Sequence, residues 1–181
     1  HHADFEGGAG CCVFNDVAVA ALSLLQEGLV KRIAVLDLDV HHGDGTARIF
    51  ADDPRVFTAS LHCEQNWPRE KPPSDLDVGL EKGTDDEAYL DVAKAFIADA
   101  LEASTPDLVF YNAGVDPHAE DRLGLLSLSD QGLQARDALV AQACFDLGVP
   151  IVGVLGGGYS KDAAAVAHRH TFLIEALQKY T

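Results

Sequence analysis

Four short runs dense in β-branched and large apolar residues, separated by stretches with helical spacing, leave this chain few folds to choose from. They cover residues 33–40, 56–61, 107–113 and 151–155. Strands apolar on both faces are what a parallel sheet with covered faces requires. Between them, residues 16–27 carry Val17, Ala20, Ala21, Leu24 and Leu25 along one face, with Asn15 as predicted N-cap and Gly28 as the stop. Residues 84–87 have capping-box spacing, and the stripe Tyr89, Val92, Ala93, Phe96, Ile97, Ala100 and Leu101 follows. A short helix is expected from Thr46. Ser129 precedes another that ends at Gly148, and Ser160 opens a last one running toward Lys179. The alternation predicts an α/β fold of three layers, α/β/α, with a mainly parallel sheet. Such sheets bind ligands beyond the carboxyl ends of their strands.

A length of 181 residues is room for one domain, so residues 1–181 are expected to form a single unit. Lys and Arg number 13 against 29 Asp and Glu, a net charge of −16. That balance offers no basic face for a phosphate backbone or an anionic membrane, and it attracts cationic ligands such as lysine-rich tails, polyamines and metal ions. Cys11, Cys12, Cys63 and Cys144 form no CxxC pair, which excludes a zinc knuckle or a disulfide scaffold and fits a reducing cytoplasm. No apolar run approaches the ~20 residues of a membrane span. The chain opens on His1-His2 with no methionine anywhere. A missing upstream segment is therefore expected, and the pair taken alone reads as a tag remnant.

The strand ends carry polar residues that a core would not select. In Asp37-Leu38-Asp39-Val40-His41-His42-Gly43-Asp44-Gly45, a period of two puts Asp37, Asp39 and His41 on one face. Two carboxylates and an imidazole there point to a divalent cation, the alternative being a capped strand end with solvated acids. His42 points the other way and reads as a buried, hydrogen-bonded imidazole. In Gly114-Val115-Asp116-Pro117, Pro117 biases Asp116 toward an extended conformation, making it either a third ligand or ordinary turn chemistry. Gly156-Gly157-Gly158 lets backbone approach closely and delivers Tyr159 beside whatever is bound. His62, His118, His168 and His170 read as packing or surface residues.

Taken together, His1-His2-Ala3, Gly10-Cys11-Cys12 with Asn15-Asp16, the segment 37–45, Ser60-Leu61-His62, Gly114 to Pro117, Asp121-Arg122-Leu123-Gly124 and Gly156 to Tyr159 resemble the zinc-dependent histone deacetylase family. The likeness is greatest to its class IV members and their bacterial relatives. The family also includes acetylpolyamine amidohydrolases and acetoin-utilisation proteins. It implies the arginase/deacetylase fold and replaces the tag reading of His1-His2.

Carried over, the family pattern implies that Asp39, His41 and Asp116 hold zinc, with ferrous iron as the alternative metal. His2 is then the general base and later the acid, and His1 its electrostatic partner. Asp37 and Asp44 orient the two histidines, and Tyr159 donates to the substrate carbonyl. A potassium ion is implied on backbone carbonyls of Asp37, Asp39, His41 and Leu61 with the side chains of Asp37 and Ser60. Gly10, Cys11 and Trp67 line the substrate tunnel. Cys11 stands where the family usually has an aromatic wall, which implies a tunnel wide enough for longer acyl chains. The expected activity is removal of acyl groups from the ε-amine of protein lysine. Acylated polyamines are the alternative substrate, and a non-catalytic acyl-lysine or metal-binding module is the alternative of another class. A two-manganese ureohydrolase would need more bridging acids and histidines. The family's domain begins well upstream of the tandem histidines. Its first strands are therefore expected to be missing, with the strand at 33–40 left as an exposed sheet edge.

Overall fold

Strand residues alternate between two apolar layers, and this fixes the architecture. The computed structural model describes residues 1–180. Five strands, β1 (Ile33–Asp37), β2 (Val56–Cys63), β3 (Leu76–Leu80), β4 (Leu108–Asn112) and β5 (Ile151–Val154), form one sheet in the order β3-β2-β1-β4-β5, every pair parallel. Five helices join them: α1 (Asp16–Gln26), α2 (Asp44–Phe50), α3 (Asp86–Ser104), α4 (Asp130–Leu147) and α5 (Ala163–Gln178). Ala34 and Leu36 of β1 and Val109 and Tyr111 of β4 face α3, α4 and α5, meeting Ala93, Phe96, Leu133 and Phe172. Ile33, Val35, Leu108 and Phe110 face the other way, against Val17, Ala21 and Leu25 of α1 and Phe50 of α2. The result is the expected three-layer α/β/α arrangement.

Several boundaries differ from expectation for identifiable reasons. The strand expected over 33–40 stops at Asp37 because side chains take its later amides. The N–H groups of Asp39, Val40 and His41 donate to Asp37 Oδ1, Asp116 Oδ1 and Asp39 Oδ1 at 3.1, 2.9 and 2.9 Å. That strand is also no edge. β1 lies at the centre, paired with β2 and β4, and the edges are β3 and β5. Asp85 rather than Thr84 caps α3, since the Thr84 hydroxyl is spent on the Glu81 carbonyl at 2.6 Å. Asp162 rather than Ser160 caps α5, accepting from Ala164 and Ala165. β3, whose Leu76, Val78 and Leu80 alternate with Asp77 and Gly79, was not anticipated.

The chain runs from β1 outward through β2 to β3, then returns to the far side of β1 for β4 and β5. This reversal between β1 and β4 is the topological switch point at which open α/β sheets bind ligands. Asp37 and Asn112 are register partners there. No helix among the described residues is long and apolar enough to cross a membrane.

Candidate metal centre and active site

Beyond the switch point three side chains converge. His41 Nδ1 lies 3.1 Å from both Asp39 Oδ1 and Asp116 Oδ2. One ligand atom from each residue lies within 4.8 Å of the others, and all three residues are buried. Asp39 and His41 meet because the bend after β1 turns both inward, and Asp116 arrives from the loop after β4. Burial opposes the His41 charge, yet hydrogen bonds to Asp116 and Asp39 lift its pKa to about 10. Burial and the neighbouring Asp39 carboxylate push Asp116 up to about 7. Burial also disfavours Asp39 as an anion, but His1 and His41 outweigh it and hold the carboxyl well below the usual range.

A buried pair of acids sharing one imidazole is the donor set a divalent cation relieves. The backbone leaves space for it: a Cβ at Gly157 would overlap Asp116 Oδ2 and lie 3.0 Å from Asp39 Oδ2. The Gly157 N–H instead donates to Asp39 Oδ2 at 2.7 Å. Asp39, His41 and Asp116 thus present a donor set that a divalent cation fits.

The tandem histidines sit beside this cluster because α2 holds them there. Thr46 N–H donates to the His1 carbonyl at 3.0 Å, and Asn15 Nδ2 donates to the Ala3 carbonyl at 3.1 Å. Gly45 is required beneath them, since a Cβ would run into the His2 and Ala3 backbone. His1 Nδ1 pairs with Asp37 Oδ2 at 2.6 Å, and His2 Nδ1 with Asp44 Oδ1 at 2.7 Å. The two rings lie 3.9 Å apart but titrate oppositely. Burial opposes protonation of His1, yet Asp37 and Asp39 raise its pKa to about 10. His2 is lowered by burial and by the charge of His1, with Asp44 opposing. One histidine is therefore cationic at neutral pH and the other neutral, the split that separates an electrostatic role from a basic one.

A cavity of about 260 Å³ opens this site to the surface, lined by His2, Gly10, Cys11, His41, Trp67 and Tyr159 among others. Trp67 stands edge-on to His2 with ring centres 4.5 Å apart. Gly10, at φ 55°, keeps clear of both, since a Cβ would approach His2 Cδ2 to 2.9 Å and Trp67 Cζ3 to 3.3 Å. Cys11 is exposed at the mouth. Tyr159 lies across from His41, ring centres 6.1 Å apart. Burial and the Asp39 and Asp116 carboxylates push its hydroxyl well up, so it remains a donor.

The pattern of the histone deacetylase domain matches residues 1–174. The chain belongs to the histone deacetylase family. It is 49% identical over 176 residues to an uncharacterized protein of Picosynechococcus sp., covering 97% of this chain and 59% of that one. A probable deacetylase of Archaeoglobus fulgidus is 35% identical, with 91% and 48% covered, and histone deacetylase 2 of Arabidopsis thaliana 32%, with 92% and 44% covered. An HDAC homologue from Aquifex aeolicus superimposes with a TM-score of 0.84 at 29% identity, over 98% of this chain and 50% of that one. The chain thus spans about half the length of the relatives it matches.

Three supports of this candidate site have no role assigned by any motif in the sequence. Asn112 Nδ2 donates to Asp37 Oδ1 at 2.9 Å, completing the His1–Asp37 pair. Arg136, fully buried on α4, donates to the Gly114 carbonyl at 2.7 Å and the Leu38 carbonyl at 3.2 Å, joining the loops that carry Asp116 and Asp39. Its charge is met by Asp137 at 2.8 Å, which also accepts from the Tyr111 hydroxyl at 2.5 Å. The signal was a charged pair inside an otherwise apolar helix face. Asp121 accepts from the Tyr159 N–H at 2.6 Å, and Arg122 Nε donates to the Tyr159 carbonyl at 2.7 Å. The Asp121-Arg122 segment therefore sets the position of Tyr159.

Proposed function

We propose that the natural protein hydrolyses the amide joining an acyl group to a primary amine, with acylated protein lysine as the substrate class. The observation that carries this reading is the meeting, at one cavity, of the Asp39–His41–Asp116 cluster, a neutral His2 and a protonated Tyr159. A zinc ion held by those three ligands, or ferrous iron in its place, would polarise the carbonyl and generate hydroxide near neutral pH.

His2 Nδ1 is occupied by Asp44, which leaves Nε2 to take a proton from water and return it to the departing amine. His1, kept cationic by Asp37 and Asp39, favours neutral His2 before the proton arrives. The Tyr159 hydroxyl donates to the carbonyl oxygen as charge develops on it. Gly10, Cys11 and Trp67 bound the approach, and Cys11 in place of an aromatic wall supports acceptance of acyl chains longer than acetyl. Potassium is assigned to the carbonyls of Asp37, Asp39, His41 and Leu61 and the side chains of Asp37 and Ser60. The register pairing of Asp37 with Ser60 on adjacent strands supports that assignment.

The net charge of −16 suits a cationic substrate, and acylated polyamines share that property with lysine-rich tails. Turnover of acetyl-lysine and fatty-acyl-lysine peptides and of acetylpolyamines by the purified natural protein tests the reading. Hydrolysis of the peptides is expected. Turnover of polyamines alone would reassign the substrate, and turnover of none would overturn the proposal.

A further inference from the structure

On the opposite side of the bend after β1, a second group of ligating side chains has no part in the chemistry above. His42 is completely buried and His62 is 2% exposed, their rings at 89° with centres 4.7 Å apart. His42 Nε2 lies 3.0 Å from Asp77 Oδ1 on β3. One ligand atom from each of His42, His62 and Asp77 lies within 4.8 Å of the other two. His62 Nδ1 lies 3.1 Å from Ser60 Oγ, and the Glu64 carboxylate stands at the rim, 3.6 Å from His62 Nε2. The nearby Lys71 ammonium is taken up by the carbonyls of Glu64, Asn66 and Pro68.

Two buried imidazoles and the Asp77 carboxylate converge here, and His42 Nδ1 is buried with no partner. A divalent ion would account for the convergence. With bonds of about 2.0–2.2 Å, a tetrahedral ion holds its ligand atoms roughly 3.3–3.5 Å apart, close to the 3.0 Å between His42 Nε2 and Asp77 Oδ1. Ser60 Oγ accepting from His62 Nδ1–H would leave the Nε2 lone pair free, as ligating histidines require. The partly exposed Asp77 and Glu64 give a path from solvent.

We propose that His42, His62 and Asp77, with Glu64 at the rim, bind a second divalent ion of the zinc class. Imidazole and carboxylate donors select that class over calcium or magnesium. The ion clips edge strand β3 to β2 and to His42, which directly follows the bend that carries His41. It is a structural site, separate from the one assigned to hydrolysis.

The test is metal stoichiometry in the purified natural protein loaded with zinc and dialysed, read by elemental analysis alongside circular dichroism. Two equivalents are expected in the wild type, one in His62→Gln and one in Asp116→Ala. If His62→Gln does not fold, Asp77→Asn takes its place and is expected to weaken the second ion at least tenfold. Two full-affinity equivalents in a folded His62→Gln or Asp77→Asn variant would overturn the assignment. So would a single wild-type equivalent lost on Asp116→Ala. A single equivalent lost only on His62→Gln would leave this site standing and remove the one proposed for hydrolysis.

Discussion

Replacing Gly157 with alanine should disable the metal centre while leaving the fold intact. A Cβ there would overlap Asp116 Oδ2 and stand 2.8 Å from Asp116 Cγ, inside the 3.0 Å that real Cβ atoms essentially never cross. The Asp116 carboxylate is no flexible end, because Oδ1 accepts from Val40 and Oδ2 faces His41. Relief therefore requires the ligand or the glycine loop to move by about 1 Å, a displacement that costs on the order of 10²-fold in catalysis. Disturbed ligand support should also weaken metal retention by about 10–100-fold. The overpacking itself should cost only about 1–3 kcal/mol of stability. The assay is a chelator competition titration with acyl-lysine turnover and thermal melting, using Gly7→Ala as the control because a Cβ there meets nothing within 4 Å. A folded Gly157→Ala protein with wild-type metal affinity and turnover would show that Asp116 is not held against the glycine loop in this way.

The Tyr159→Phe variant should keep its metal and lose on the order of 10²-fold in turnover, because one donor to the developing oxyanion is gone; undiminished activity would remove Tyr159 from that role. For pH dependence, His2 is lowered from 6.5, so kcat/KM should fall only below pH 6.5, where the base becomes protonated. Asp44 raises the His2 pKa, so Asp44→Asn should move that acid limb to still lower pH, and a limb that stays put or rises would contradict the pairing. Arg136→Met should cost about 3–5 kcal/mol in urea unfolding by stranding buried Asp137; a loss under about 1 kcal/mol would show that the guanidinium does not bridge the two ligand loops.

Much of the fold is legible because β1, β2 and β4 lie between two apolar layers and read as apolar runs, as does the edge strand β5 through Ile151, Val152 and Val154. β3 was not, since an edge strand needs only Leu76, Val78 and Leu80, and Asp77 and Gly79 interrupt them. The polarity of the strand ends marks the segments that converge at the candidate site, but the period-two argument for Asp37, Asp39 and His41 does not describe its construction. The strand ends at Asp37, and the bend that follows brings Asp39 and His41 together. Roles for His1 and His2 could come only from family resemblance, because nothing local ties the chain start to Asp37 and Asp44. The roles of Arg136 and Asn112 depend on loops and strands that only the folded topology brings together.

Amide hydrolysis is proposed to depend on one divalent ion held by Asp39, His41 and Asp116. Acyl-lysine hydrolysis by the purified natural protein, measured after exhaustive chelation and again after adding back zinc or ferrous ion, tests it most directly. Activity should vanish, return with the ion, and fail to return in Asp116→Ala. Full turnover by the chelated protein would contradict the account.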